Sequence, residues 1–153
     1  MRRWLCVGVL ALSACGGASD HLVKPHQITD DTIPEPLTDQ PGDPARGELI
    51  FTDRDQGHCV LCHVVSGLDV PFQGNVGPDL TYVADRLTPE QVRLRIVDYQ
   101  IVREGTVMPS YHRIHDLYQV EEVSIGSPLL AAQEVEDLVA YLDTLTSEAQ
   151  THE

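Results

Sequence analysis

Cys59-Val60-Leu61-Cys62-His63 decides how this chain is read. Two thiols three residues apart in a helical turn can reach two vinyl groups on one side of a porphyrin. The histidine that follows is then held beneath the iron. Cys-x-x-Cys-His is the attachment signature for haem c. A ligating histidine also needs an acceptor for the proton on its other ring nitrogen, because that bond fixes tautomer and orientation. Two other chemistries use paired cysteines. Structural zinc asks for four ligands, usually two pairs, and no second pair follows, even if His58 is counted. A redox dithiol asks for a βαβ surround, and no strand-like alternation stands out.

Working outward from the motif, Gly77-Pro78-Asp79-Leu80 lies at a distance from which the Pro78 carbonyl could take the His63 proton. Gly-Pro also makes ordinary turns, so this signal is weak alone. For the sixth iron position the chain offers two methionines, Met1 and Met108. Met1 falls in a leader, which leaves Met108 in Gly105-Thr106-Val107-Met108-Pro109. A neutral sulfur ligand raises the reduction potential relative to a second histidine. Met108 could instead simply pack in the core. His112 and His115 are the rival ligands, while His21, His26 and His152 are assigned no role.

Asp43 and Pro44 suit the N-cap and first position of a helix running to about Thr52. Thr88-Pro89-Glu90-Gln91 reads as a capping box opening a second helix, with Val92, Ile96 and Tyr99 as its buried stripe. Val135, Leu138, Val139, Leu142 and Leu145 give a third helix over 132–145. Glu134, Glu136, Asp137 and Asp143 fall on its wet face, and its start lacks a side-chain cap. The expected domain, 43–147, is therefore all-α, followed by a tail at 148–153.

Upstream, Arg2 and Arg3 precede a short apolar run ending Leu12-Ser13-Ala14-Cys15, a signal segment over 1–14. The small residues before Cys15 suit lipidation there. An ordinary signal with Cys15 incidental is the alternative, and either exports the chain to the periplasm. Residues 15–42, rich in Pro and Asp without apolar periodicity, read as a flexible tether.

The net charge of −14 becomes two units more negative without Arg2 and Arg3, which disfavours nucleic acid as a partner. A basic partner surface is one use of such charge, and solubility is another. Lys24 is the only lysine, so Arg86, Arg93, Arg95 and Arg103 are the nearest approach to a basic patch.

Gly47-x-x-x-Phe51, the Cys59–His63 motif, Gly77-Pro78-Asp79-Leu80, the Met108 loop and Leu138-Val139-Ala140-Tyr141-Leu142 together resemble class I cytochromes c. That resemblance implies crossed N- and C-terminal helices around a covalent haem, Gly47 near Tyr141, and Pro78 as acceptor for His63. Gly42-Asp43-Pro44-Ala45-Arg46-Gly47, Gly57-His58-Cys59, Gly74-Asn75-Val76-Gly77 and Thr106-Val107-Met108-Pro109-Ser110-Tyr111 more narrowly resemble the SoxX family, over about 42–145. These are monohaem subunits of SoxAX cytochromes. The resemblance implies a SoxA-type cytochrome partner and, indirectly, the SoxYZ carrier, whose cysteine the pair couples to thiosulfate. It also implies another periplasmic cytochrome as electron acceptor. This chain then carries electrons and has no catalytic residue of its own. A free-standing shuttle and a haem-based sensor are the competing functions.

Overall fold

The computed structural model describes residues 22–149. The signal segment, Cys15, His21 and His152 lie outside them. Three α-helices carry the fold: α1 (Pro44–Thr52), α2 (Pro89–Val102) and α3 (Ala132–Asp143). Short 3-10 turns fill part of the intervening chain. Among the described residues there is no strand, only an isolated bridge between Thr29 and Thr32.

Helix starts follow local chemistry. Asp43 accepts from the Ala45 and Arg46 amides, with Pro44 in the first turn. Thr88 and Gln91 exchange bonds across the start of α2. The start of α3, expected to be uncapped, is half capped from inside. Glu134 reaches back to accept from the Ala131 amide at 2.7 Å. Its end comes at Asp143, and the Thr144 hydroxyl caps it by donating to the Tyr141 carbonyl.

α1 crosses α3 where α1 carries Gly47. A β-carbon there would strike the Asp137 carbonyl and meet Tyr141 Cβ at 2.7 Å, so a larger residue would force the helices apart. Beside the crossing the Phe51 and Tyr141 rings pack with centroids 5.5 Å apart. The core continues through Val60, Val65, Val83, Leu94, Leu130, Val135 and Leu138.

The wet face expected for α3 is not wet throughout. Glu136 and Asp137 are buried, because neighbouring segments bring arginines onto that face. Arg46 grips Asp137 with two bonds, at 2.8 and 2.9 Å. Arg93 grips Glu136 likewise, with both side chains 6% exposed. The supposed basic patch disperses for the same reason: Arg93 is internal and Arg95 pairs with Asp31. The α2 stripe holds at Val92 and Ile96, while Tyr99 is half-buried. Asp98 has a non-helical backbone, which turns the last residues of α2 off the earlier register.

The segment expected as a tether is, from Leu22 onward, laid against the domain. Ile33 is fully buried. Its amide donates to the Glu90 carbonyl, and its carbonyl accepts from Arg93. The Leu37 amide donates to Glu136. Ile33, with Val23, Ile28 and Leu37 partly buried beside the core, is too unevenly spaced to leave a periodicity to read.

Two measurements follow from these pairs. Glu136→Ala strands a buried guanidinium and should cost about 3–5 kcal/mol in denaturant unfolding. Replacing Arg93 and Glu136 together by apolar residues should cost much less. Burial alone would raise the Asp137 carboxyl, but bonds from Arg46, the Asp43 amide and Gln133 outweigh it and hold it below its ordinary 3.8. The resulting stability is present in full above about pH 4 and is lost as pH falls through the lower folded value. Asp137→Asn should flatten the acid limb of a stability–pH profile.

Candidate functional site

The attachment motif forms a 3-10 turn, Cys59–Leu61, entered through His58 in the left-handed conformation at φ 58°. The Cys62 and His63 amides both donate to the Cys59 carbonyl, at 3.1 and 2.9 Å. The cysteines are unpaired and half-buried. Burial pushes the Cys59 thiol up to about 12, the opposite of what a redox dithiol needs. No cluster of three or more His, Cys, Asp or Glu suited to a metal occurs among the described residues. Zinc and dithiol chemistry both lose support on these grounds.

The chain then doubles back over the motif. Gly74 and Gly77 amides donate to the Val60 and Cys62 carbonyls, and the Leu80 amide donates to that of Val64. Gln73 braces the loop from within: it accepts from the Val65 amide and donates to the Val65 and Leu68 carbonyls. Thr81 closes it by accepting from the Ser66 amide. Sequence reasoning passed over Gln73 and Thr81, because a polar residue in a loop carries no signal until the loop's path is known.

This path brings Pro78 to His63. His63 Nδ1 lies 2.8 Å from the Pro78 carbonyl oxygen. A carbonyl only accepts, so Nδ1 carries the proton and Nε2 is left with its lone pair. Gly77 lies against the same ring, and a β-carbon there would sit 2.6 Å from Nδ1. The ring is thus held at one nitrogen and flanked by bare backbone. Asp79 turns away from it. Hydrogen bonds from the Thr81 hydroxyl and amide hold its carboxyl below the usual range.

Met108 is half-buried and packs against the same apolar core as Cys59. Tyr111, three residues on, is buried, and that burial raises its phenol. Cys59 and Cys62 lie close enough that a charge on either would raise it further. The Met108 segment and the attachment turn therefore approach each other. Of the rival histidines, His112 is buried with Nδ1 2.7 Å from the Leu130 carbonyl, and His115 lies on the surface with Nδ1 2.9 Å from Asp116.

The donor set therefore fits a covalent haem: two thiols in one turn, an imidazole with a bare Nε2, and a thioether on the same core. Exposed apolar residues lie on the same loops: Phe72 and Val76 before Pro78, and Val107 beside Met108.

The cytochrome c family model matches residues 44–146. No curated protein sequence matches the chain. Among solved structures, a chain of SoxXA from P. pantotrophus is similar at 32% identity, covering 87% of this chain and 100% of that one, with a TM-score of 0.75. The chain belongs to the cytochrome c family as a SoxX-type class I cytochrome, an electron carrier with one covalently bound haem c.

Proposed function

We propose that this chain is the electron-accepting subunit of a two-cytochrome complex, with His63 and Met108 as the residues that would hold its haem iron. The observation that carries the ligand reading is the His63–Pro78 bond with Gly77 against the ring. That bond leaves the imidazole with one nitrogen free to coordinate and little freedom to turn. The haem supplies a one-electron iron couple. Cys59 and Cys62 would fasten the haem to the turn, and His63 and Met108 would hold its iron and keep small ligands from it. A site closed in this way suits electron transfer and disfavours gas sensing.

The partner is a SoxA-type cytochrome, by likeness to a chain of the SoxXA structure. Together the pair couples thiosulfate to a cysteine of a SoxYZ-type carrier, and a further periplasmic cytochrome takes the electrons onward. Phe72, Val76 and Val107 support docking rather than free diffusion, since they expose apolar surface on the loops that hold the ligands. No helix among the described residues is long and apolar enough to cross a membrane. Attachment through an acylated Cys15, after export by the 1–14 segment, would hold the complex at a membrane surface. From Leu22 the chain is already packed on the domain, so only a short link would separate anchor and haem protein.

Met108→Ala should abolish the far-red sulfur–iron charge-transfer band of the oxidised protein. It should also lower the midpoint potential by on the order of 100 mV and admit carbon monoxide to the reduced iron. An unaltered spectrum would refute this ligand assignment. Native protein purified from membranes should bring a second haem-containing chain with it, and Cys15→Ser should move both to the soluble fraction. Recovery of this cytochrome alone would favour a free-standing shuttle, and unchanged membrane association of Cys15→Ser would remove the anchor.

A further inference from the structure

Asp98 is buried at 4% exposure, ten residues before the proposed iron ligand, in the middle of α2. Its backbone leaves the helical region (φ −161°, ψ 89°), so α2 is broken there. In an unbroken helix the Gln100 amide would turn back to the Ile96 carbonyl. Here the Gln100 amide donates to Asp98 Oδ1 at 3.2 Å. The Ile96 and Val97 carbonyls accept from the Tyr111 and His112 amides, at 3.1 and 3.2 Å. The break therefore turns a helix flank into an edge on which the chain beyond Met108 is hung.

The carboxylate fixes the same segment through side chains. Oδ1 accepts from the Ser110 hydroxyl at 2.7 Å, and Oδ2 accepts from Arg113 at 2.8 Å. Two residues along α2, Gln100 holds the approach to Met108. Its side-chain Oε1 accepts from the Gly105 N–H and its Nε2 donates to the Thr106 carbonyl, at 3.1 and 3.0 Å. Met108 thus sits between two fastenings. Gln100 ties the chain two and three residues before it, and Asp98 ties it two and five residues after it. Ser110 and Asp98 are both buried, so their bond is little weakened by water.

The geometry points to Asp98 as a positioning residue for Met108: the helix break and its carboxylate set where the thioether stands relative to the iron. Loss of this clamp lets the Met108 loop swing while the His63 side, held by its own loop, stays put. The inference rests on Met108 being the sixth ligand.

The test compares holoproteins carrying Asp98→Ala, Asp98→Asn and Ser110→Ala with wild type. Glu136→Gln serves as a control at an equally buried carboxylate away from the Met108 loop. Three quantities are read: the sulfur–iron charge-transfer band, the midpoint potential, and the rate of cyanide uptake by the oxidised protein. Asp98→Ala should weaken the band, lower the potential and speed cyanide uptake about tenfold. Ser110→Ala should do the same to a smaller degree. Asp98→Asn, which can still accept from Ser110, should recover part of the band. Glu136→Gln should lower thermal stability and leave all three unmoved. If Asp98→Ala does not fold, Asp98→Asn and Ser110→Ala decide on the same readouts. A wild-type band that none of these variants moves overturns the positioning role while leaving Met108 as ligand. A wild-type protein with no such band overturns the ligation, and the inference falls with it.

Discussion

One hydrogen bond, from His63 Nδ1 to the Pro78 carbonyl at 2.8 Å, organises the chain between Gly57 and Thr81. The histidine's place follows from its neighbours Cys59 and Cys62, which put it at the end of a single turn. The acceptor must come from elsewhere, and a backbone carbonyl can be delivered only by routing a loop to it. The Gly74, Gly77 and Leu80 amides, each bonded back to a carbonyl of the motif or its next residue, are that routing. Proline suits the acceptor position because its fixed φ limits how far the carbonyl can swing. Glycine suits the position before it because the imidazole already occupies the space a β-carbon would need.

Much of this was legible in the sequence, for a specific reason. The attachment motif is set by short-range geometry and leaves its mark in one dimension, and Pro78 follows it at a readable distance, whereas Gly47 against Tyr141 was implied by the resemblance to class I cytochromes c. The starts of α1 and α2 were legible because caps are local. The fastenings were not. Glu136 and Asp137 follow the pattern of a solvated face, and what buries them is an arginine more than forty residues away in each case. Ile33 is one of a few unevenly spaced apolar residues in a Pro- and Asp-rich stretch, and its backbone is fastened to Glu90 and Arg93 of α2. Asp98 sits inside an apparently continuous helical pattern, and its meaning appears only when Ser110 and Arg113 are seen against it.

The arginines share a logic that composition hides. In a chain with a single lysine, Arg46, Arg93, Arg95 and Arg113 each tie distant segments through a carboxylate. Arg54 reaches the Pro71 and Phe72 carbonyls, and Arg86 that of Asp79. A planar guanidinium offers several fixed donors and loses less freedom per bond than an ammonium, which suits it to internal fastening. The loop that delivers Pro78 is held at both ends this way, by Arg54 below and Arg86 above.

That use of positive charge shapes the outside as well. Guanidiniums turned inward neutralise carboxylates within the domain and leave the remaining Asp and Glu to set the field in solution. Such a surface draws a basic partner from a distance, over about 10 Å at 0.1 M salt, and selects against acidic ones. Charge of this kind governs how fast a partner arrives more than how tightly it stays. Close contact then falls to uncharged residues, and Phe72, Val76 and Val107 lie on the two loops that hold the His63 and Met108 sides of the site. The loops that hold the two proposed ligand residues in place therefore also present a surface through which an electron would leave.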